Sequence, residues 1–240
     1  MKAFSRGFFI INFKKTFIIE DRYKIFVNGV GTTALITVAS VVFGLILGFA
    51  FFILIRNTPK ISKIIYKIIN FIISGTPAVV FLMICYYLIF SGTNMGGVWV
   101  SIVAFSLIFM CSTVSFLDTG FGAVDKGQAE AAFTLGYSRS KTFTKILLPQ
   151  AAKTFMPILK GDIISHIKGT AIVGYIAVID LTKASELVRS RTFDAFFSLI
   201  VATIMYFLLE YLVILLLKLI PVDPKKRRNI KVLKGVKEND

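Results

Sequence analysis

Long apolar runs alternate with short basic stretches along this chain, and the runs exceed what strands or soluble helices need. A bilayer crossing takes ~20 predominantly apolar residues, and five stretches reach or approach that length. Residues 27–55 carry no charge and include Gly29, Gly31, Gly44 and Gly48. The Gly44/Gly48 spacing would let another helix approach closely; the general glycine richness of membrane helices accounts for it equally well. Residues 64–90 contain Ser74-Gly75-Thr76-Pro77. A mid-span proline is tolerated where packed protein or a polar cavity satisfies the freed backbone groups, so a kink is expected, either facing a pathway or purely structural. Residues 98–117 form a third candidate. A fourth, 155–179, is interrupted by Pro157, Asp162, His166 and Lys168, which predicts a broken or partly inserted helix. The fifth, 196–220, is apolar apart from Glu210 and Lys218 and is ended by Pro221 and Pro224.

Composition agrees with that pattern. Of 240 residues, 56% are hydrophobic and the mean hydropathy is +0.78, above the about 45–50% apolar content of soluble domains. The net charge of +15 is explained by loop lysines and arginines rather than by nucleic acid. With the segment 118–168 placed inside, nineteen basic residues fall on the cytoplasmic side and nine outside. The C-terminus is then cytoplasmic and the N-terminus outside. Six of the nine lie in an N-terminal arm (Lys2, Arg6, Lys14, Lys15, Arg22, Lys24) whose interleaved Phe and Ile fit an amphipathic helix on the membrane surface. Lys225-Lys226-Arg227-Arg228 reads as an anchor to anionic lipid. Cys85 and Cys111 sit in apolar runs without metal-ligand spacing, and the single histidine, His166, excludes a histidine cluster within one chain. The first apolar patch, residues 8–13, is too short for a cleavable signal peptide.

The stretch from Gly127 to Pro149 differs from everything around it. Gln128-Ala-Glu-Ala-Ala-Phe-Thr-Leu135 is made of helix formers, and Gly136 follows where left-handed geometry costs little. Ser138 or Ser140 can cap a second helix whose Phe143, Ile146 and Leu147 recur at helical spacing before Pro149. Ala131 and Ala132 keep one surface slim enough to seat in a groove. Residues 122–127 have the outer glycines of a phosphate-binding loop, but Gln128 stands where its lysine must be, so this chain does not cradle ATP by that route.

The pattern Glu130-Ala131-Ala132, Gly136, Ile146-Leu147-Leu148-Pro149 resembles the signature loop of permease subunits in binding-protein-dependent ABC importers. Other segments resemble the polar amino acid subfamily. They are Gly29, Thr33 and Thr37; Tyr66, Ser74-Gly75-Thr76-Pro77 and Tyr86-Tyr87; Val124-Asp125-Lys126-Gly127-Gln128; Lys168-Gly169-Thr170-Ala171; Ile176-Ala177-Val178; and Asp180-Leu181-Thr182. The match spans about residues 25–220. It implies an all-α membrane protein of the type I importer permease fold, with about five transmembrane helices and a cytoplasmic helix-turn-helix coupling loop. Residues 1–24 form the arm, 25–220 the transmembrane domain with its coupling loop at 118–160, and 221–240 the basic tail.

The resemblance also implies roles. Gln128, Glu130, Ala131, Ala132, Gly136, Leu148 and Pro149 belong to the loop that meets a cytoplasmic ATPase dimer, and Ser74, Thr76, Pro77, Ser115, Lys168 and Thr170 are candidates for the translocation pathway. This chain is then no enzyme and holds no cofactor or metal, with ATP and magnesium on the partner. Further partners are a second permease (identical or different), an extracytoplasmic solute-binding protein and the bilayer of the plasma membrane. Four family charges are missing: Ser74 replaces an arginine, Ser115 and Asp118 stand in place of a glutamate and an arginine, and Gly169 replaces an aspartate. Lys168 can face the pathway or snorkel, His166 is expected to pack, and Glu210 to pair with a neighbouring helix. The expected function is import of a small polar solute, an amino acid, driven by a separate ATPase. The alternatives are an ion-coupled transporter using Asp162 and Glu210, or a non-transporting scaffold.

Overall fold

A computed structural model describes residues 13–220, and their regular structure is all helical. The basic tail with Lys225-Lys226-Arg227-Arg228, and residues 1–12 of the arm, lie outside the described residues. The α-helices are α1 (Tyr23–Asn57), α2 (Pro59–Gly75), α3 (Ala78–Ile84), α4 (Gly97–Gly122), α5 (Gly127–Thr134), α6 (Arg139–Thr142), α7 (Leu148–Gly169), α8 (Leu181–Thr192) and α9 (Ala195–Lys218).

Three of these, α1, α4 and α9, are long and apolar enough to cross a membrane, and α2 with α3 makes a fourth if the bent pair counts as one span. The fourth expected crossing, residues 155–179, corresponds to α7, which is diluted by Asp162, His166 and Lys168 but has 22 residues. Pairwise contacts fix the order of traverse. Thr33, Thr37 and Ser40 of α1 meet Leu181, Thr170 and His166 in turn, so α1 runs antiparallel to α7. Gly97 lies against Val178 and Gly120 against Phe155, so α4 does the same. Lys168 meets Glu210 and Lys160 meets Ile220, so α9 does too. Helices α1, α4 and α9 therefore all run toward the end of the bundle that carries α5 and α6, here the loop end.

Helix α4 is the axis of the bundle: 72% of its most apolar window is buried in protein, against 11% for α9, whose leucines and isoleucines face outward. The α1–α4 seam depends on absent side chains. A Cβ on Gly44 would lie 2.7 Å from Phe109 Cβ, and one on Gly48 would overlap Thr113. Of the two readings of this glycine pair, the close approach is what the structure contains.

Hydroxyls on one face of α1 stitch it to α7 and α8. Thr33 Oγ1 accepts from Leu181 N (3.1 Å), Thr37 and Thr170 hydroxyls meet at 3.3 Å, and Ser40 Oγ meets His166 Nε2 at 2.8 Å. Ser40 Oγ also lies 3.1 Å from Thr37 O, so the hydroxyl links His166 to the backbone of α1. His166 is buried between the edges of Phe105 and Phe109; it packs, as the sequence suggested. Asp180 caps α8 by accepting from Lys183 N at 2.8 Å. Burial pushes its carboxyl above the ordinary carboxylate range, with the backbone hydrogen bonds opposing that shift.

Three prolines, Pro77, Pro157 and Pro149, divide into one break and two accommodations. At Pro77 the chain turns by 108° between α2 and α3. Thr76 adopts the extended backbone that a following proline imposes, and its Oγ1 donates to Ile72 O at 2.7 Å, satisfying a carbonyl the break releases. Pro157, by contrast, lies inside an unbroken α7, which corrects the expectation of a helix interrupted there. The cost of an interior proline, about 3 kcal/mol, is opposed by the packing of the turns that precede it. Ala151 is fully buried, and Phe155 stacks on Phe116 at 5.9 Å. The helix instead gives way at Gly169, into a 3₁₀ turn over Thr170–Ile176. Nor does Pro149 end the loop's second helix. A π-helical turn, Phe143–Leu147, with Leu148 N bonded to Phe143 O, widens the backbone just ahead of the ring and lets α6 run on into α7.

The described part of the arm is not one amphipathic helix. A π-helical turn at Lys14–Ile18 is followed by a tight turn in which Glu20 and Asp21 take positive φ, 57° and 53°. The first turn rests on α1 and α8. Arg22 is buried and bonds Lys15 O (2.8 Å) and Glu20 Oε2 (3.0 Å), bonds that close the two turns of the arm on each other.

Candidate functional site

At the loop end, α5 begins where Asp125 Oδ1 accepts from Gly127 N at 2.7 Å. It ends in a Schellman motif. Gly136 N donates to Phe133 O (2.9 Å), Tyr137 N donates to Ala132 O (3.0 Å), and Gly136 takes φ +79°. Ser138, not Ser140, then caps α6 by accepting from Lys141 N at 3.4 Å. Gln150 Nε2 bonds Gln128 Oε1 (3.1 Å) and ties the start of α5 to the start of α7.

This geometry separates the residues singled out in the loop. Gln128, Glu130, Ala131, Gly136 and Pro149 are exposed, and Leu148 is half-buried. Ala132 is 1% exposed and faces its own chain, so the slim surface consists of Ala131 without Ala132. Beside Glu130 and Ala131 lie Phe133, Leu135 and Tyr137, exposed by 49%, 76% and 41%. The sequence reading passed over these three side chains. Their signal was available: three large apolar residues in a polar stretch, flanking a glycine that terminates the helix. Exposed apolar residues clustered in this way mark a surface that receives another molecule.

A second feature is a cleft of about 590 Å³ between α2, α4 and α7. Tyr66, Asn70, Ser74, Thr76, Ser112, Ser115, Thr119 and Asp162 supply its polar lining. A smaller cleft of about 350 Å³ continues toward the loop end, shares Tyr66, Asn70, Ser115 and Thr119, and adds Lys63, Lys67 and Asp118. Ser74, Thr76 and Ser115 are thus brought together, and Pro77 forms the break beside them. Ser74 Oγ bonds Asn70 Oδ1 at 3.1 Å. Lys168 and Thr170 lie elsewhere. Lys168 Nζ pairs with Glu210 at 3.1 Å on the outer surface between α7 and α9, which also gives Glu210 the partner expected of it. Thr170 is buried against Thr37. Asp162, which the sequence marked mainly as an interruption, faces the cleft because α7 stays helical past Pro157. Cys111 lines the same cleft and Cys85 is buried in the core. Among the described residues no cluster of His, Cys, Asp and Glu could hold a metal ion.

A helical membrane bundle with a polar cleft between its helices and a polar helix-turn-helix loop at one end is the build of a transport component. Residues 40–227 match the family of binding-protein-dependent transport system inner membrane components, and the chain belongs to that family. It is 30% identical over 211 residues to a Rickettsia conorii protein named for a glutamine transport system permease, covering 85% of this chain and 95% of that one. It is 32% identical over 184 residues to the arginine transport system permease protein ArtQ of Bacillus subtilis, covering 76% and 84%. The crystal structure of an amino acid ABC transporter with histidines contains a chain that superposes with a TM-score of 0.73 at 28% identity, covering 82% of this chain and 92% of that one. The fold is that of an ABC importer permease, and the protein is a multi-pass component of the inner membrane.

Proposed function

We propose that this chain is the permease subunit of an ATP-driven importer of amino acids, with ATP and magnesium held by a separate ATPase that docks on the 127–149 loop. The observation that carries this reading is the loop itself. A rigidly terminated helix presents Glu130, Ala131, Phe133, Leu135 and Tyr137 outward at the end where α1, α4 and α9 converge. The joined clefts are the pathway on this chain's side. Asp162, the charged group in the larger one, suits an ammonium, and its hydroxyls and amide suit the rest of a small polar solute. A second permease copy covers the cleft, because polar groups facing lipid are costly. A solute-binding protein delivers to the far end. The relatives named for glutamine and arginine transport support the amino acid class.

The test is co-purification. The wild-type chain is expected to retain an ATPase subunit through detergent extraction, and Glu130→Lys or Leu135→Ser to lose it while the permease still folds. ATP hydrolysis by the reconstituted complex should rise when a loaded amino acid binding protein is added. Uptake by the purified chain alone, driven by a proton gradient, would sink the reading.

A further inference from the structure

The guanidinium of Arg56 lies over three aromatic rings, 5.7 Å from the centroid of Phe52, 5.1 Å from Phe121 and 5.9 Å from Phe143. All three fall within the ~6 Å reach of a cation–π contact. Arg56 and Phe52 belong to the end of α1, Phe121 to the last turn of α4, and Phe143 to the π-helical turn that leads α6 into α7. The rings also pack on one another: Phe52 and Phe121 at 5.1 Å, Phe121 and Phe143 at 5.1 Å with planes only 7° apart. One planar, weakly hydrated cation therefore sits where two spanning helices and the loop meet.

Position makes this cluster more than a surface contact. A π-helical turn is a place where a helix can give, so a push on α5 and α6 could be absorbed between Phe143 and Leu147 before it reached the bundle. The Arg56 cluster bridges that weak point. Beyond it, Gly44 and Gly48 seat α1 against α4, and α4 lines both clefts through Ser115 and Thr119. We propose that Arg56 is a positioning residue that locks the loop to α1 and α4, so that displacement of the loop is carried to the walls of the cleft. The proposal rests on the reading that the 127–149 loop receives an ATPase.

Ser115→Cys supplies the readout, since Ser115 is exposed and lines both clefts; it is placed in a Cys111→Ala background because Cys111 borders the same cleft, while Cys85 is buried in the core. The full chain, in complex with its ATPase in proteoliposomes, is labelled with a maleimide in the presence and absence of ATP and vanadate. Nucleotide is expected to change the labelling rate of the Ser115→Cys parent. Adding Arg56→Gln should cut that change about two- to fivefold while ATP hydrolysis stays within about twofold, as expected from losing the cation–π contacts of an exposed arginine. Arg56→Lys, which keeps a cation over the rings, should restore part of it. An undiminished response in Arg56→Gln overturns the proposal and leaves docking intact. So does a parallel loss of assembly, hydrolysis and labelling in both Arg56 variants, the pattern of a merely structural residue. A parent that hydrolyses no ATP or shows no nucleotide response overturns the docking reading and the proposal with it. Should Arg56→Gln alone fail to assemble, Phe143→Leu decides: it leaves the arginine on two rings, so a reduced response supports the lock and a full response overturns it.

Discussion

Gly48 has Thr113 where its own side chain would be, and Gly44 has Phe109. Any larger residue at these positions must push α1 away from α4 and strain the neighbouring contacts of α1, Ser40–His166 and Thr37–Thr170. Gly48→Val is therefore expected to destabilise the folded protein by about 1–3 kcal/mol, the usual cost of overpacking. Gly31→Ala tests the alternative that glycine is needed for its own sake. Nothing lies within 4 Å of a Cβ there, so the substitution should be neutral or stabilising by about 0.4–1 kcal/mol. Thermal unfolding in detergent reads both, and equal destabilisation by the two variants would contradict the packing account. The sequence displayed the glycine pair and left its meaning open, because a spacing names a face and not what lies against it. The same holds for His166. Its burial was expected, but Ser40 lies 126 residues away in sequence, and only the fold brings the pair together.

At the scale of the element, local chemistry was legible where a residue has one conformational use. Gly136 was read as a left-handed stop and adopts φ +79° with both bonds of the motif in place. Gly136→Val follows as a test. A Cβ in this conformation costs roughly 1–2 kcal/mol, which shifts the loop away from its docking shape and should weaken ATPase capture about five- to thirtyfold. Permease stability should fall by no more than that strain, since nothing lies within 4 Å of a Cβ there to add a clash. Titrating ATPase onto the immobilised permease measures the change, and unchanged affinity would mean that the turn is not part of the docking shape. Proline was less legible, because its effect depends on what surrounds it. Pro77 breaks a span outright, Pro157 is overridden by Phe155 and Ala151, and Pro149 is absorbed by a π-helical turn that has no sequence signature. Misreading Pro157 hid Asp162: only an unbroken α7 points that carboxylate into the cleft. Phe133, Leu135 and Tyr137 were overlooked for a different reason. Apolar residues do not stand out in a chain that is 56% hydrophobic until the fold places them on an exposed loop.

For the molecule as a whole, the charges at the two ends of the bundle are arranged differently. At the far end, basic side chains have acidic neighbours: Arg22 with Glu20 at 3.0 Å, Lys24 with Asp21 at 2.6 Å and Lys183 with Glu186 at 2.8 Å. The last of these holds the Glu186 carboxyl below its ordinary range. The loop end gathers Arg56, Lys60, Lys63, Lys126, Arg139, Lys141 and Lys145. Lys and Arg near the ends of spans resist translocation, and carboxylates contribute little to that bias. The excess of basic residues at the loop end, rather than ion pairing, therefore predicts a cytoplasmic loop end. Because α1, α4 and α9 all run toward that end, the same prediction puts Lys218 on the cytoplasmic side and Tyr23 on the opposite one. Arg191 and Lys141 are exposed at the two ends and can each carry a single reporter cysteine. In intact cells, Arg191→Cys should react with a membrane-impermeant maleimide and Lys141→Cys should react only after permeabilisation. The reverse pattern would invert the protein in the membrane and remove the loop from any cytoplasmic ATPase, so this labelling experiment tests the orientation and the docking surface together.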